Sequence, residues 1–118
     1  MLIEYKKDNE KVAMGLLSYL PDFKNLENLK EEIKLNRDSN EFKLYLYKNE
    51  DNNVIGVIGT QISRNFIIIR YLSLAPGFRE KRYETTILKD LVTSHPKLTV
   101  TAVPEYTFLI KDLNNSDE

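Results

Sequence analysis

The residues of this chain with the strongest claim to chemistry lie around position 80. Arg79-Glu80-Lys81-Arg82-Tyr83-Glu84-Thr85 follows Pro76-Gly77 and opens an amphipathic helical pattern. The first turn of any helix leaves backbone N–H groups free and carries the positive end of the helix dipole, so it suits an anion. Basic side chains gain nothing from that dipole. Arg79, Lys81 and Arg82 are therefore either a solvated helix start or counter-charges for a phosphate. Glu84 stabilises its own helix from the first turn but opposes an anionic ligand. At about 6 Å and an effective dielectric of about 20, that repulsion is on the order of 1–3 kcal/mol before screening. Tyr106, just after Pro104, is a phenol that either packs with its hydroxyl at the surface or donates a proton. Other chemistries lack their residues. There is no cysteine and one histidine, His95, beside Pro96. Thiolate catalysis, disulfides and the common zinc sites are thereby excluded. No nucleophile elbow, nucleotide-binding glycine loop or metal motif occurs.

The elements that must position these residues follow from periodicity. Leu2 to Tyr5 suits a short strand. Asp8 or Asn9 suits a helix cap, and Val12, Ala13, Leu16, Leu17 and Leu20 then share one helical face. Pro21 stops that helix. A second begins near Asn25, with Leu26, Leu29 and Ile33 on its buried stripe and Lys30, Glu31, Glu32 and Lys34 mostly toward water. From Phe42 the period changes to two: Phe42, Leu44 and Leu46 alternate with Lys43, Tyr45 and Tyr47. Asp51-Asn52-Asn53 is a turn, Val54 to Ser63 a second strand with Gly56 and Gly59, and Arg64-Asn65 a tight link into Phe66 to Ala75. Those glycines mark a bulge or a close backbone approach. The third strand is apolar on both faces, as a strand covered on both sides must be, and Tyr45, Tyr47 and Tyr71 belong on the sheet surface. A helix to Ser94 follows, with Ile87, Leu88, Leu91 and Val92 inward. Then come a strand from Leu98 to Val103 and a short helix after Pro104 holding Phe108, Leu109 and Leu113. A strand, helix and strand this closely joined predict a parallel crossover. The fold class is an α/β (α+β) domain of order β-α-α-β-β-β-α-β-α, an antiparallel meander plus a parallel βαβ unit.

Composition agrees with one globular domain over residues 1–113 and a frayed tail over 114–118. The hydrophobic fraction is 42% and the charged fraction 30%, values of a folded chain. Seventeen basic and eighteen acidic residues, net charge -1, leave no broad surface for nucleic acid or an anionic membrane. Without an apolar leader, a membrane-length run or cysteine, the expected location is cytoplasmic.

The element order and the segment Ile69-Arg70-Tyr71-Leu72-Ser73-Leu74-Ala75-Pro76-Gly77-Phe78-Arg79 resemble the acyl-CoA-binding core of the GNAT acetyltransferase superfamily. The opening, Leu2-Ile3-Glu4-Tyr5-Lys6-Lys7 followed by Lys11 to Ser18, resembles more narrowly the RibT group of Gram-positive riboflavin operons. The resemblance implies acetyl-CoA as co-substrate and no metal. The pantetheine arm would pair with the backbone of Leu72, Ser73 and Leu74. The pyrophosphate would sit on the helix start spanning Arg79, Lys81, Arg82, Tyr83, Glu84 and Thr85. The family turn reads Arg or Gln, two residues, Gly, one residue, then Gly or Ala. Arg79 matches, but Arg82 and Glu84 occupy the two small positions, where glycine would let phosphate approach the backbone.

For catalysis, many family members use a carboxylate on the fourth strand as base; Phe66 to Ala75 has none. Many use a tyrosine in the last helix as acid; Tyr106 is the counterpart here, nearer the start of its helix than is usual. The family's two further strands find no room after Leu113. Either a partner chain, as in a homodimer, completes the acceptor wall or that site is open. Two functions follow: an acyl-CoA-dependent N-acyltransferase acting on an unknown amine, or a catalytically degenerate GNAT-fold binding or regulatory module.

Overall fold

A computed structural model describes residues 1–116. Strand β1 (Leu2–Glu4) leads through a short turn to helix α1 (Glu10–Leu17), and a 3-10 turn at Pro21–Phe23 leads to helix α2 (Leu26–Asp38). The meander follows as β2 (Phe42–Lys48), β3 (Val54–Ser63) and β4 (Phe66–Leu74). Helix α3 (Lys81–Ser94) crosses to β5 (Thr99–Ala102), and a second 3-10 turn, Pro104–Tyr106, opens helix α4 (Thr107–Ser116). The expected α/β order is thus present, β4 and β5 pair in parallel, and all other pairs are antiparallel in a five-stranded sheet ordered β1-β2-β3-β4-β5. α4 takes in Asn114, Asn115 and Ser116 of the segment expected to fray; Asp117 and Glu118 lie outside the described residues. No helix of the described residues is long and apolar enough to cross a membrane.

Local chemistry accounts for the boundaries. Asn25 caps α2, its Oδ1 accepting from the N–H groups of Glu27 and Asn28 at 2.8 and 3.3 Å. At α1 the expected cap differs: Asn9 holds the N-cap position, but its side chain turns back to accept from the N–H of Lys6 at 3.3 Å. Gly77 makes the turn out of β4 at φ +88°, a conformation that glycine adopts without a Cβ penalty.

The sheet is covered on both faces. Ala13, Leu16 and Leu17 of α1 and Leu29 and Ile33 of α2 pack on Leu44, Leu46, Val57 and Tyr71. Ile87, Leu88 and Leu91 of α3 and Leu109 and Leu113 of α4 pack on Ile58, Ile67, Ile69, Leu72 and Leu74. Several expected burials do not hold. Val12, Leu26 and Val92 are exposed, each at the margin of its helix stripe, whereas Tyr71 is buried and Glu32, expected to face water, is only 6% exposed.

One irregularity in β4 governs what lies beside it. Gly59 pairs with Tyr71 and Thr60 with Ile69, so Arg70 is an extra residue, a β-bulge. The bulge puts Ile67, Ile69, Leu72 and Leu74 all on the α3 side of the sheet.

Candidate active site

The β4–β5 ladder is short. It runs from Phe66–Thr99 to Ile69–Ala102, closed by the Val103 N–H donating to the Ile69 carbonyl at 3.0 Å. Beyond that pair β5 turns away at Pro104, and Arg70 to Leu74 continue without a strand on that side. A cavity of about 490 Å³ lies against this edge, lined by Leu72, Ser73, Leu74, Arg79 and Glu84, with Tyr19, Leu20 and Lys24 opposite.

The helix-start residues divide between this cavity and the surface. Arg79 enters it: Nε donates to the Leu74 carbonyl at 3.0 Å and the guanidinium lies 4.8 Å from the centre of the Tyr19 ring. Lys81, Arg82, Tyr83 and Thr85 do not line it. Lys81 pairs with Asp112 of α4 at 3.2 Å, and Arg82 turns outward to Glu80 at 3.2 Å and to the Tyr83 hydroxyl at 2.9 Å. Of the two side chains standing where small residues were expected, Arg82 therefore leaves the helix start clear. Glu84 does not: burial and the nearby Asp112 carboxylate push its carboxyl above the ordinary range, against the pull of Lys81.

A second cavity of about 550 Å³ abuts the first and shares Leu20 as a wall. Its sides come from the two 3-10 turns, each with the sequence proline, acid, aromatic: Pro21-Asp22-Phe23 before α2 and Pro104-Glu105-Tyr106 before α4. From them Asp22, Phe23, Glu105 and Tyr106 face the space, and Gln61, Arg70 and Tyr71 form its sheet side. Tyr106 lines the second cavity beside the Leu72 backbone, and Leu72 itself lines the first. Burial raises the Tyr106 phenol above its ordinary value, the nearby Leu72 backbone lowers it, and the Glu105 and Asp22 carboxylates raise it further, with a net upward shift. Beneath the cavity is a buried polar cluster. Glu32 accepts from Arg70 Nη1 and Nη2 at 2.7 and 3.0 Å, from the Tyr71 hydroxyl at 2.6 Å and from Asn36 Nδ2 at 2.6 Å.

No protein-family profile matches the chain. A Bacillus methanolicus protein described as an uncharacterized N-acetyltransferase in the lysA 3′ region is 35% identical over 97 residues, spanning 81% of this chain and 80% of that protein. The chain belongs to the GNAT N-acetyltransferases. Solved structures show the same fold at low identity. AAC(6′)-Iy, in complex with the bisubstrate analogue CoA-S-monomethyl-acetylneamine, superposes at TM-score 0.72 with 12% identity, covering 98% of this chain and 87% of that one. Spermidine N-acetyltransferase from Vibrio cholerae, in complex with CoA and spermine, superposes at 0.69 with 13% identity over 96% and 78%. The aminoglycoside 6′-N-acetyltransferase AAC(6′)-Ih of Acinetobacter baumannii superposes at 0.68 with 9% identity over 99% and 87%.

As a GNAT chain, the protein brings together Leu72, Ser73, Leu74, Arg79 and Glu84 of the expected cofactor residues, with Tyr106 at their edge. The sequence reading passed over Tyr19, Leu20 and Lys24 on the first cavity and Asp22 and Glu105 on the second. The repeated proline-acid-aromatic triplet is the one sequence signal that could have found the second.

Proposed function

We propose that this protein transfers the acetyl group of acetyl-CoA to the nitrogen of an amine. One observation carries the reading: an open strand edge with a cavity on it meets a second cavity at Leu20, with Tyr106 of the second beside Leu72 of the first. Two substrates can thus approach one point from opposite sides, the geometry that direct transfer between them requires. The first cavity suits a pantetheine arm, because the β4 edge beyond Ile69 has no strand beside it. Arg79 is the counter-charge for the pyrophosphate, held in place by Leu74 and Tyr19.

In the reaction the neutral amine forms a nitrogen–carbon bond as the carbon–sulfur bond breaks. The nitrogen releases one proton to water, and Tyr106 protonates the leaving sulfur before taking a proton back from solvent. A phenol is protonated at neutral pH and so has a proton to give; the upward shift of Tyr106 costs it some acid strength. The narrower RibT affinity rests on the opening stretch Leu2–Ser18.

A second reading, a GNAT-fold binding module without turnover, is favoured by Glu84, whose carboxylate lines the cofactor cavity. Isothermal titration with acetyl-CoA at low and moderate salt separates the two. Saturable binding that weakens with salt and is lost in Arg79→Ala supports the transferase. No binding at millimolar acetyl-CoA overturns it in favour of the module.

A further inference from the structure

We propose that the acceptor is an amine bearing a second positive charge, held between Asp22 and Glu105 in the cavity beside Tyr106. The reaction assigned to this ligand rests on the acetyl-transfer reading; its binding does not. Charge balance in the cavity carries the inference. The one basic side chain on its wall is Arg70, and both terminal nitrogens of its guanidinium are engaged by Glu32, which is 6% exposed. That pair is internally neutral. Asp22 and Glu105 remain, and among the described residues neither takes part in an ion pair. Both line the same cavity as Tyr106, so two negative charges face the space where the amine must react.

The walls have the same preference. Phe23 and Tyr71 meet edge to face at 5.3 Å, and Tyr106 completes an aromatic lining able to hold a cation over ring faces. The two 3-10 turns repeat this offer, each presenting an acid and an aromatic to one space. A neighbouring groove shares Asp22 and Phe23 and adds Glu31, extending the acidic surface outward. An acceptor bearing a carboxylate or phosphate would meet repulsion on both sides with no free basic partner on the wall.

The test is isothermal titration of the full chain at low salt with three probes of equal length: 1,5-diaminopentane, pentylamine and 5-aminopentanoate. The diamine is expected to bind about fivefold tighter than pentylamine and tighter still than the aminocarboxylate, given two exposed carboxylates and aromatic walls. Asp22→Asn and Glu105→Gln, at exposed positions, should each reduce that preference and together abolish it. Equal binding of all three, preference for 5-aminopentanoate, or no binding at millimolar concentration overturns the proposal. Failure of the transferase reading would appear separately, as absent acetyl-CoA binding with the diamine preference intact.

Discussion

Glu32 of α2 accepts both terminal nitrogens of Arg70, the bulged residue of β4, at 2.7 and 3.0 Å. The guanidinium is also sandwiched, 4.8 Å from the centre of the Phe42 ring and 5.3 Å from that of Tyr71. The carboxylate therefore ties the second helix to the sheet directly under the second cavity, the one proposed for the acceptor. It also fixes the Tyr71 hydroxyl, so one buried charge orients two of the cavity's side chains.

Removing that carboxylate leaves an unpaired guanidinium, and Glu32→Ala should cost about 3 kcal/mol of stability by urea unfolding at neutral pH. Burial pushes the Glu32 carboxyl up, but the bonds from Arg70, Tyr71 and Asn36 outweigh it and hold it below the ordinary range. The unfolded chain therefore takes up this proton more readily than the folded one. The stabilisation is complete above about pH 5 and is lost as pH falls through and below the ordinary carboxylate range. Unfolding midpoints measured down this range should fall more steeply for the wild type than for Glu32→Gln. Parallel curves would show that Glu32 does not set the acid limb.

A Cβ at Gly59 would run into the ring of Tyr71, which is itself anchored to Glu32. Gly59→Ala should therefore destabilise by about 1–3 kcal/mol, the usual range for overpacking. It should also weaken acceptor binding, because the displaced ring lines that cavity. Gly56→Ala is milder, since its nearest obstacle is the Leu74 Cδ2 methyl at 2.7 Å, a side-chain end that can yield. Similar thermal midpoints for the two variants would argue against this account.

Glu84 is the negative charge inside the first cavity, the one proposed for acetyl-CoA. Glu84→Gln should tighten acetyl-CoA by about threefold to tenfold at low salt, with a smaller gain at high salt. Because the Glu84 carboxyl is raised above its ordinary value, its protonation should also begin to favour the ligand earlier in an acid titration. Arg82→Ala should change affinity less than about twofold, as expected for an exposed surface pair. A large loss there would place the phosphates on the outer face of α3 instead.

Tyr106→Phe should leave acetyl-CoA affinity nearly unchanged and lower kcat by about two to four orders of magnitude, the range for a lost general acid. Since the phenol is shifted upward, the alkaline fall in kcat should lie above about pH 10. Loss of affinity with preserved kcat would assign Tyr106 to binding alone.

The order of elements was legible because it is written locally, in proline stops, in the Asn25 cap and in the change of period at Phe42. The open edge of β4 was legible only through family resemblance, since the ladder's end at Ile69 depends on where β5 turns. Glu32 was not legible. It stands in a charged run, and its partner Arg70 is 38 residues away, so nothing nearby distinguishes it from Glu31. The second cavity is assembled from four separated segments, around Asp22, Gln61, Arg70 and Glu105, which no window of sequence shows together. Arg82 and Glu84 looked equivalent as obstructions. Which of them turns away was decided by Glu80 and Tyr83 beside the first and by the open cavity beside the second.

The bulge at Arg70 gives β4 something like a reading frame. Up to Ile69 the odd-numbered side chains face α3 and α4; past Arg70 the even-numbered ones do. Deleting Arg70 would remove the bulge and restore strict alternation with every later side chain on the face it now holds. A strand of the present length without the bulge would instead change phase after Ile69, sending the Tyr71 phenol and the Ser73 hydroxyl under α3 and Leu72 and Leu74 against α1. A point substitution in this strand edits one word of the site, whereas ironing out the bulge would rewrite every word that follows.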